Sequence, residues 1–174
     1  KNFLDNHIGD HFIFYRPKDI VSGDFYWASR LHNGDFAIVV GDSTGHGVPG
    51  AIMSMLNIAS LNEIQNHASI TSPANVLDHA RKRIIEHLNN HEYETYAKDG
   101  MDAIMVCIDK EFKTLTWSAA NNSLWLVRDG EVNQLKGDKM SVGKDGKMHH
   151  SFTEQTIPLR KNDLLFMSTD GFTD

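Results

Sequence analysis

Asp24, Asp42 and Asp170 each adjoin a glycine, in SGDFYW, VVGDSTGHG and STDGF. Asp42 and Asp170 close apolar runs that read as strands. Strands packed side by side can therefore bring the three carboxylates to one end. Carboxylates gathered away from water repel one another and are costly alone. A divalent cation relieves that repulsion, and ligands that are oxygen throughout select hard ions, Mg2+ or Mn2+. Two such ions about 3.5–4 Å apart, bridged by a carboxylate, activate water and hold a phosphoryl group. Any single Asp-Gly pair is more simply a turn, as RDG at 128–130 and KDG at 144–146 are expected to be. The residues by themselves leave the metal cluster and plain turns both open.

Asp42 stands at the mouth of GHGVPG, residues 45–50, which matches G-x-G-x-x-G. The dinucleotide reading is rejected. That fingerprint needs a second parallel strand after the helix, with an acid at its end, whereas here a second helix follows the first. A bare carboxylate before the glycines also repels pyrophosphate. A P-loop is excluded by the lack of Gly-Lys-Ser/Thr. If Asp42 holds metal, the acid turns a repulsive turn into one that accepts phosphate. The backbone carbonyl of Ser43 is then a further candidate ligand, and the positive end of the following helix favours an anionic substrate.

The elements that must position these residues follow from periodicity. HFIFYR (11–16) suits a strand ended by Pro17. VSGDFYWASRL (21–31) is a second, with Gly23 a bulge or close-approach point. HNGD carries the Asn-Gly hairpin signal, and FAIVVGD (36–42) is a strand covered on both faces. Val48, Ile52, Met55, Leu56, Ala59 and then Ile64 recur at three- and four-residue steps and mark a long helix. TSPANVLDHARKRIIEHLNN (71–90) is a second helix, with Ser72 as N-cap, Pro73 as first residue and a stripe of Val76, Leu77, Ala80, Ile84 and Leu88. Strands are expected at 101–109, 114–120, 124–127, 131–135, 151–159 and 163–170. Three strands, two adjacent helices and about six further strands exclude a doubly wound sheet. They suit antiparallel sheets with a helix pair packed on them, an α+β fold.

The 174 residues are the length of one domain. A net charge of −6 argues against nonspecific binding to nucleic acid or acidic membrane. The single cysteine, Cys107, lies in an apolar run and reads as a buried, inert thiol in a reducing compartment. No apolar stretch reaches the ~18 residues needed to span a bilayer. The abrupt start and the stop just after a strand lead us to expect a piece of a longer protein.

RPKDIVSGDFYW, GDSTGHGVPGAIMSML, DGMDAIMVCID and LLFMSTDGFTD, taken together and in this order, resemble the PPM-type (PP2C-like) phosphatase domains of the stage II sporulation protein E/RsbU branch. The resemblance covers nearly the whole chain. It implies a four-layer α-β-β-α sandwich with two antiparallel sheets. Residues 1–10 are then the end of a linker from an upstream regulatory region. Residues 11–174 are the phosphatase domain, truncated before its C-terminal helix and strand and so lacking one late acidic ligand. It implies a serine/threonine phosphoprotein phosphatase with two Mn2+ or Mg2+ ions. Asp24 is expected on one ion, Asp42 bridging both with the Ser43 carbonyl beside it, and Asp170 on the Asp24 side. The expected chemistry is in-line attack on phosphorus by a metal-bridging hydroxide. The expected partners are a phosphorylated protein such as an anti-sigma-factor antagonist, and an upstream sensor or repeat domain in the same chain. Homodimerisation is left open, and the expected place is the cytoplasm, with a tether to a membrane sensor also open. No nucleic acid and no membrane insertion by this domain are expected. A non-catalytic phosphoprotein-binding module on the same fold is the alternative.

Four further expectations complete the site. His46 is the candidate general acid; the rival reading is that it only caps the turn. Asp102, beside a strand start, is a candidate ligand of a third ion or a structural residue. Arg16 is a candidate phosphate contact or a surface cation. Residues 137–148 read as a mobile basic loop, a flap over a protein substrate. His87 and His91 have a zinc-compatible spacing but read as a solvated face, and Trp27, Trp117 and Trp125 read as core or sheet-face residues.

Overall fold

The computed structural model describes residues 2–17, 20–89, 99–145 and 149–172. A short helix α1 (Asn2–His7) precedes the hairpin β1 (Asp24–Arg30) and β2 (Phe36–Ser43). Its turn has Gly34 at φ 92, and the Leu31 amide donates to the Asp35 carbonyl at 2.9 Å. Helices α2 (Gly47–Asn62) and α3 (Pro73–Asn89) follow, joined by a 3-10 turn. Strands β3 (Gly100–Ile108), β4 (Thr114–Ala120), β5 (Ser123–Arg128), β6 (Glu131–Lys136), β7 (Val142–Gly143), β8 (Gln155–Pro158) and β9 (Leu164–Phe166) complete the chain before a last 3-10 turn at Asp170–Phe172.

Two antiparallel sheets result. The larger runs β1-β2-β3-β4-β8 with β7 added to β3, and the smaller runs β6-β5-β9. Alternation along β2 and β3 divides two cores. Ala37, Val39, Met105 and Cys107 face α2 and α3 with Leu61, Val76, Leu77 and Ile84. Phe36, Ile104, Val106 and Trp117 face the small sheet and meet Leu124, Leu135 and Leu165. The described residues thus stack a helix pair, a large sheet and a small sheet. Both faces of β2 are covered, as its unbroken apolar run requires.

Several expectations need correction. Residues 11–16 form no strand, and Phe12 and Phe14 are 76% and 70% exposed. Apolar content gave the strand signal, but a strand needs a partner edge, and this segment has none among the described residues. In α2, Val48, Ile52 and Met55 are 65%, 61% and 71% exposed. The buried face is instead Gly50, Ser54, Asn57, Ser60 and Leu61. Small and polar residues let this helix lie close on the ends of β1–β3, which a stripe of large side chains would prevent. The expected stripe of α3 holds: Val76, Leu77, Ala80 and Ile84 are buried. Part of the expected mobile loop is anchored, because Val142 and Gly143 pair with β3 and Met140 is buried; residues 146–148 lie outside the described residues. His87 is partly exposed near Glu63, and His91 lies outside the described residues. Trp27 and Trp117 are buried and Trp125 is half-buried.

Candidate metal centre

The register of the large sheet sets the site. Asp24 on β1 lies directly opposite Asp42 on β2, and Asp42 lies directly opposite Asp102 on β3. Opposed residues of an antiparallel pair point to the same face with Cβ atoms about 4.5–5.5 Å apart. The three aspartates therefore form a row across one end of the sheet. Counting by twos from Phe36 and Ile104 puts the row on the face that meets the small sheet. Asp170 arrives from the other side, in the turn after β9. That strand ends at Phe166, so Asp170 is not a strand-end residue as expected. It nevertheless reaches the row, because its side chain is hydrogen-bonded to that of Asp42.

Like charges set opposite one another are destabilising, and Asp42 records this. Its pKa is pushed up to about 7, first by burial, then by the charges of Asp24 and Asp170, the hydrogen bond with Asp170, and the charge of Asp102. The carboxyl is thus held partly protonated, the state a cation would displace. Asp24 is steadied by Ser22, whose hydroxyl donates to Asp24 Oδ2 at 3.3 Å and accepts the Asp24 amide at 3.0 Å. Asp102 Oδ1 accepts from Asn121 Nδ2 at 2.9 Å and from Ser141 Oγ at 3.0 Å.

The glycine turn packs rather than cradles. A Cβ on Gly23 would stand 2.9 Å from the Ser43 carbonyl oxygen and 3.0 Å from that of Gly45. A Cβ on Gly50 would stand 2.4 Å from the Gly45 oxygen. Gly45 itself takes φ 94, open to glycine at little cost. The three glycines let the start of β1, the end of β2 and the first turn of α2 touch backbone to backbone. This close approach sets the Ser43 carbonyl against Gly23, the residue before Asp24.

His46 occupies the N-cap position of α2, but its side chain makes no capping hydrogen bond, which removes the reading of it as the turn's cap. The residue is exposed. Arg16 is also exposed, and its neighbour Tyr15 donates from Oη to the Asp24 carbonyl at 3.1 Å, which brings this segment to the site. Cys107 is buried, and burial pushes its thiol pKa above the usual range, so it is an inert core residue.

The donor chemistry fits a hard divalent ion: carboxylates and a carbonyl, with excess negative charge. Among the described residues, no three acids, imidazoles or thiols close into a single coordination group. The set is therefore partly assembled. The pairing of Asp102 with Asp42 was not legible from sequence, because register depends on the turn and helices between strands. Asn57, the buried polar residue beneath Ser43, was missed altogether; its one signal was an amide on the helix face toward the glycines.

Two antiparallel sheets with this carboxylate row at their shared end define a PP2C-type phosphatase domain. The chain belongs to the stage II sporulation protein E (SpoIIE) family, whose model matches residues 32–174. It is similar to the SiaA-PP2C domain of Pseudomonas aeruginosa, at 31% identity and a TM-score of 0.82 over 98% of this chain and 65% of that one. The chain thus spans 65% of the length of that domain. It shares its fold with the PP2C phosphatase domain of Bacillus subtilis SpoIIE, solved with a fragment of its regulatory domain (18% identity, TM-score 0.69, 88% of this chain and 42% of that one). The same holds for the catalytic domain of the serine/threonine phosphatase PstP, solved with two manganese ions (18% identity, TM-score 0.53, 83% and 69%). No curated protein matches the chain. No helix among the described residues is long and apolar enough to cross a membrane.

Proposed function

We propose that this chain is the core of a Mn2+- or Mg2+-dependent phosphoserine/phosphothreonine protein phosphatase, the cytoplasmic output domain of a larger signalling protein. The observation that carries the reading is the row Asp24–Asp42–Asp102, met by Asp170, with the pKa of Asp42 pushed up to about 7. A binding module has no use for such a costly cluster. In this reading the full domain is a four-layer sandwich. Asp24, Asp42, Asp170 and the Ser43 carbonyl would hold two divalent ions, and Asp102 a third. Once bound, the ions would activate water and offset the charge of the phosphoryl oxygens.

The rest falls to the chain's own groups. The N-terminal end of α2, which starts at Gly47 just after the Asp42 strand, would favour the phosphate. His46, whose side chain makes no capping hydrogen bond, would protonate the departing serine or threonine oxygen. Arg16, next to Tyr15, would clasp the phosphate with its planar fork. The substrate is a phosphorylated signalling protein such as an anti-sigma-factor antagonist, and control comes from an upstream sensor or repeat domain.

The test is hydrolysis of a phosphoserine peptide by the full-length protein in millimolar Mn2+, beside its Asp42→Asn variant. Mn2+-dependent turnover, lost in the variant, is expected. A folded wild type that binds the phosphopeptide without cleaving it would overturn catalysis in favour of a non-catalytic phosphoprotein-binding module.

A further inference from the structure

Asn57 is fully buried, midway along the face of α2 that lies on the sheet. A buried amide is costly unless bonded, and this one is only half satisfied. Its Nδ2 donates to Ser43 Oγ at 2.9 Å and reaches the Gly100 carbonyl at 3.5 Å. Its Oδ1 meets no partner among the described residues. A leucine here would bring no orphaned oxygen, so fold stability alone does not account for the amide.

What Asn57 touches is specific. Ser43 follows Asp42, and Gly100 stands two residues before Asp102. The same Gly100 carbonyl accepts the Thr44 amide at 3.0 Å, and the Gly100 amide donates to Thr44 Oγ1 at 3.2 Å. On the far side, the Ser43 amide donates to the Gly23 carbonyl at 3.2 Å. Ser43 is therefore held by Gly23 through its main chain and by Asn57 through its side chain. One buried amide ties α2 to the ends of both strands that carry the central carboxylates.

We infer that Asn57 is a positioning residue, which through Ser43 Oγ fixes the Ser43 carbonyl and the adjoining Asp42 carboxylate toward a divalent cation. The inference rests on the metal reading given above. Residues that orient a ligand from behind alter metal affinity by about 10–100-fold when removed. The cost falls on binding, while an apolar replacement of similar volume leaves the fold intact.

The experiment uses the full-length protein with Asn57→Leu, Ser43→Ala and the double variant. Mn2+ affinity is measured by calorimetry, melting temperature by scanning, and amide exchange at Thr44 by mass spectrometry or NMR. For Asn57→Leu we expect a melting temperature no lower than wild type, Mn2+ affinity weaker by about 10–100-fold and faster exchange at Thr44. Ser43→Ala removes the same bond from outside the helix and is expected to weaken Mn2+ similarly, the double variant adding little. Wild-type Mn2+ affinity in folded Asn57→Leu and Ser43→Ala proteins overturns the positioning role. Absence of Mn2+ binding by the wild type overturns the metal reading instead. Exchange at Thr44 then decides the clamp alone, and unchanged exchange in Asn57→Leu refutes it.

Discussion

Asp42 faces Asp24 directly across the β1–β2 pair, and among the described residues no cationic side chain is bonded to either. An arrangement that places like charges opposite one another is retained at a cost to the metal-free fold. The cost has a definite pH dependence. The pKa of Asp42 is raised from 3.8 to about 7 on folding, so between these values the folded chain holds a proton that the unfolded chain has released. Stability of the metal-free protein therefore falls as pH rises from about 4 to about 7, and the loss persists above that. Asp42→Asn removes the titrating group. We expect this variant to melt higher than wild type at pH 8 in chelator, by a margin that shrinks toward pH 4, and to bind no Mn2+. Equal melting temperatures at pH 8 would refute the repulsion.

Close backbone packing at the glycines makes a second prediction. A Cβ at Gly50 would stand 2.4 Å from the Gly45 carbonyl oxygen, a contact that forces the helix away. A Cβ at Gly23 would stand 2.9 Å from the Ser43 oxygen, a backbone contact that only a movement of one of the two chain segments can relieve. Gly50→Ala is expected to be the more destabilising, by about 1–3 kcal/mol for overpacking. Gly23→Ala is expected to lose stability by a smaller margin and to lose Mn2+ affinity as well. Thermal melts and metal titration of both variants check the ordering, and a Gly23→Ala protein with unchanged Mn2+ affinity contradicts it.

How much of this was legible beforehand depended on range. The β1–β2 hairpin, α3 and strands β3 and β4 follow from local patterns, because their periodicity and turn chemistry agree with their burial. The acids Asp24, Asp42 and Asp170 were marked by adjacent glycines. That Asp102 completes a row was not readable, since register between β2 and β3 is set by two intervening helices. Residues 11–16 misled because strand propensity is packing in disguise. The helix α2 misled for a related reason. Its large apolar residues sit at helical spacing, but the face that must approach the strand ends needs Gly50, Ser54 and Asn57 instead. Steric demand at the site overrode hydrophobic pattern.

That inversion of α2 is itself testable. Ile52 and Met55 are 61% and 71% exposed, whereas Leu61 is fully buried on the same helix. Ile52→Lys and Met55→Lys are expected to change unfolding free energy by no more than about 0.5 kcal/mol. Leu61→Ala is expected to cost about 2–5 kcal/mol. Denaturant titration of the three variants measures the contrast, and a large loss in Met55→Lys would place that face against another part of the protein.

The approach to Asp170 carries the last prediction. Arg128 on β5 grips Asp163 with two hydrogen bonds, Nε to Oδ1 at 2.9 Å and Nη2 to Oδ2 at 2.7 Å, just before β9 begins. The carboxylate is only 4% exposed, and it also accepts the Arg160 amide at 2.8 Å. Arg128 above all holds the Asp163 pKa below its ordinary value. A group whose pKa falls on folding contributes stability above its unfolded value, and that contribution is lost as pH drops through the lowered one. Asp163→Asn keeps the shape but gives up the charge. At pH 7 we expect it to melt below wild type, with the gap starting to close as pH falls below about 4 and closing fully only below the lowered value, where the folded wild-type carboxylate is protonated too. Because this fork anchors the strand that leads to Asp170, the variant is also expected to bind Mn2+ more weakly at pH 7 while keeping its secondary structure by circular dichroism. A gap that stays constant down to pH 2 would show that the ion pair is not its source.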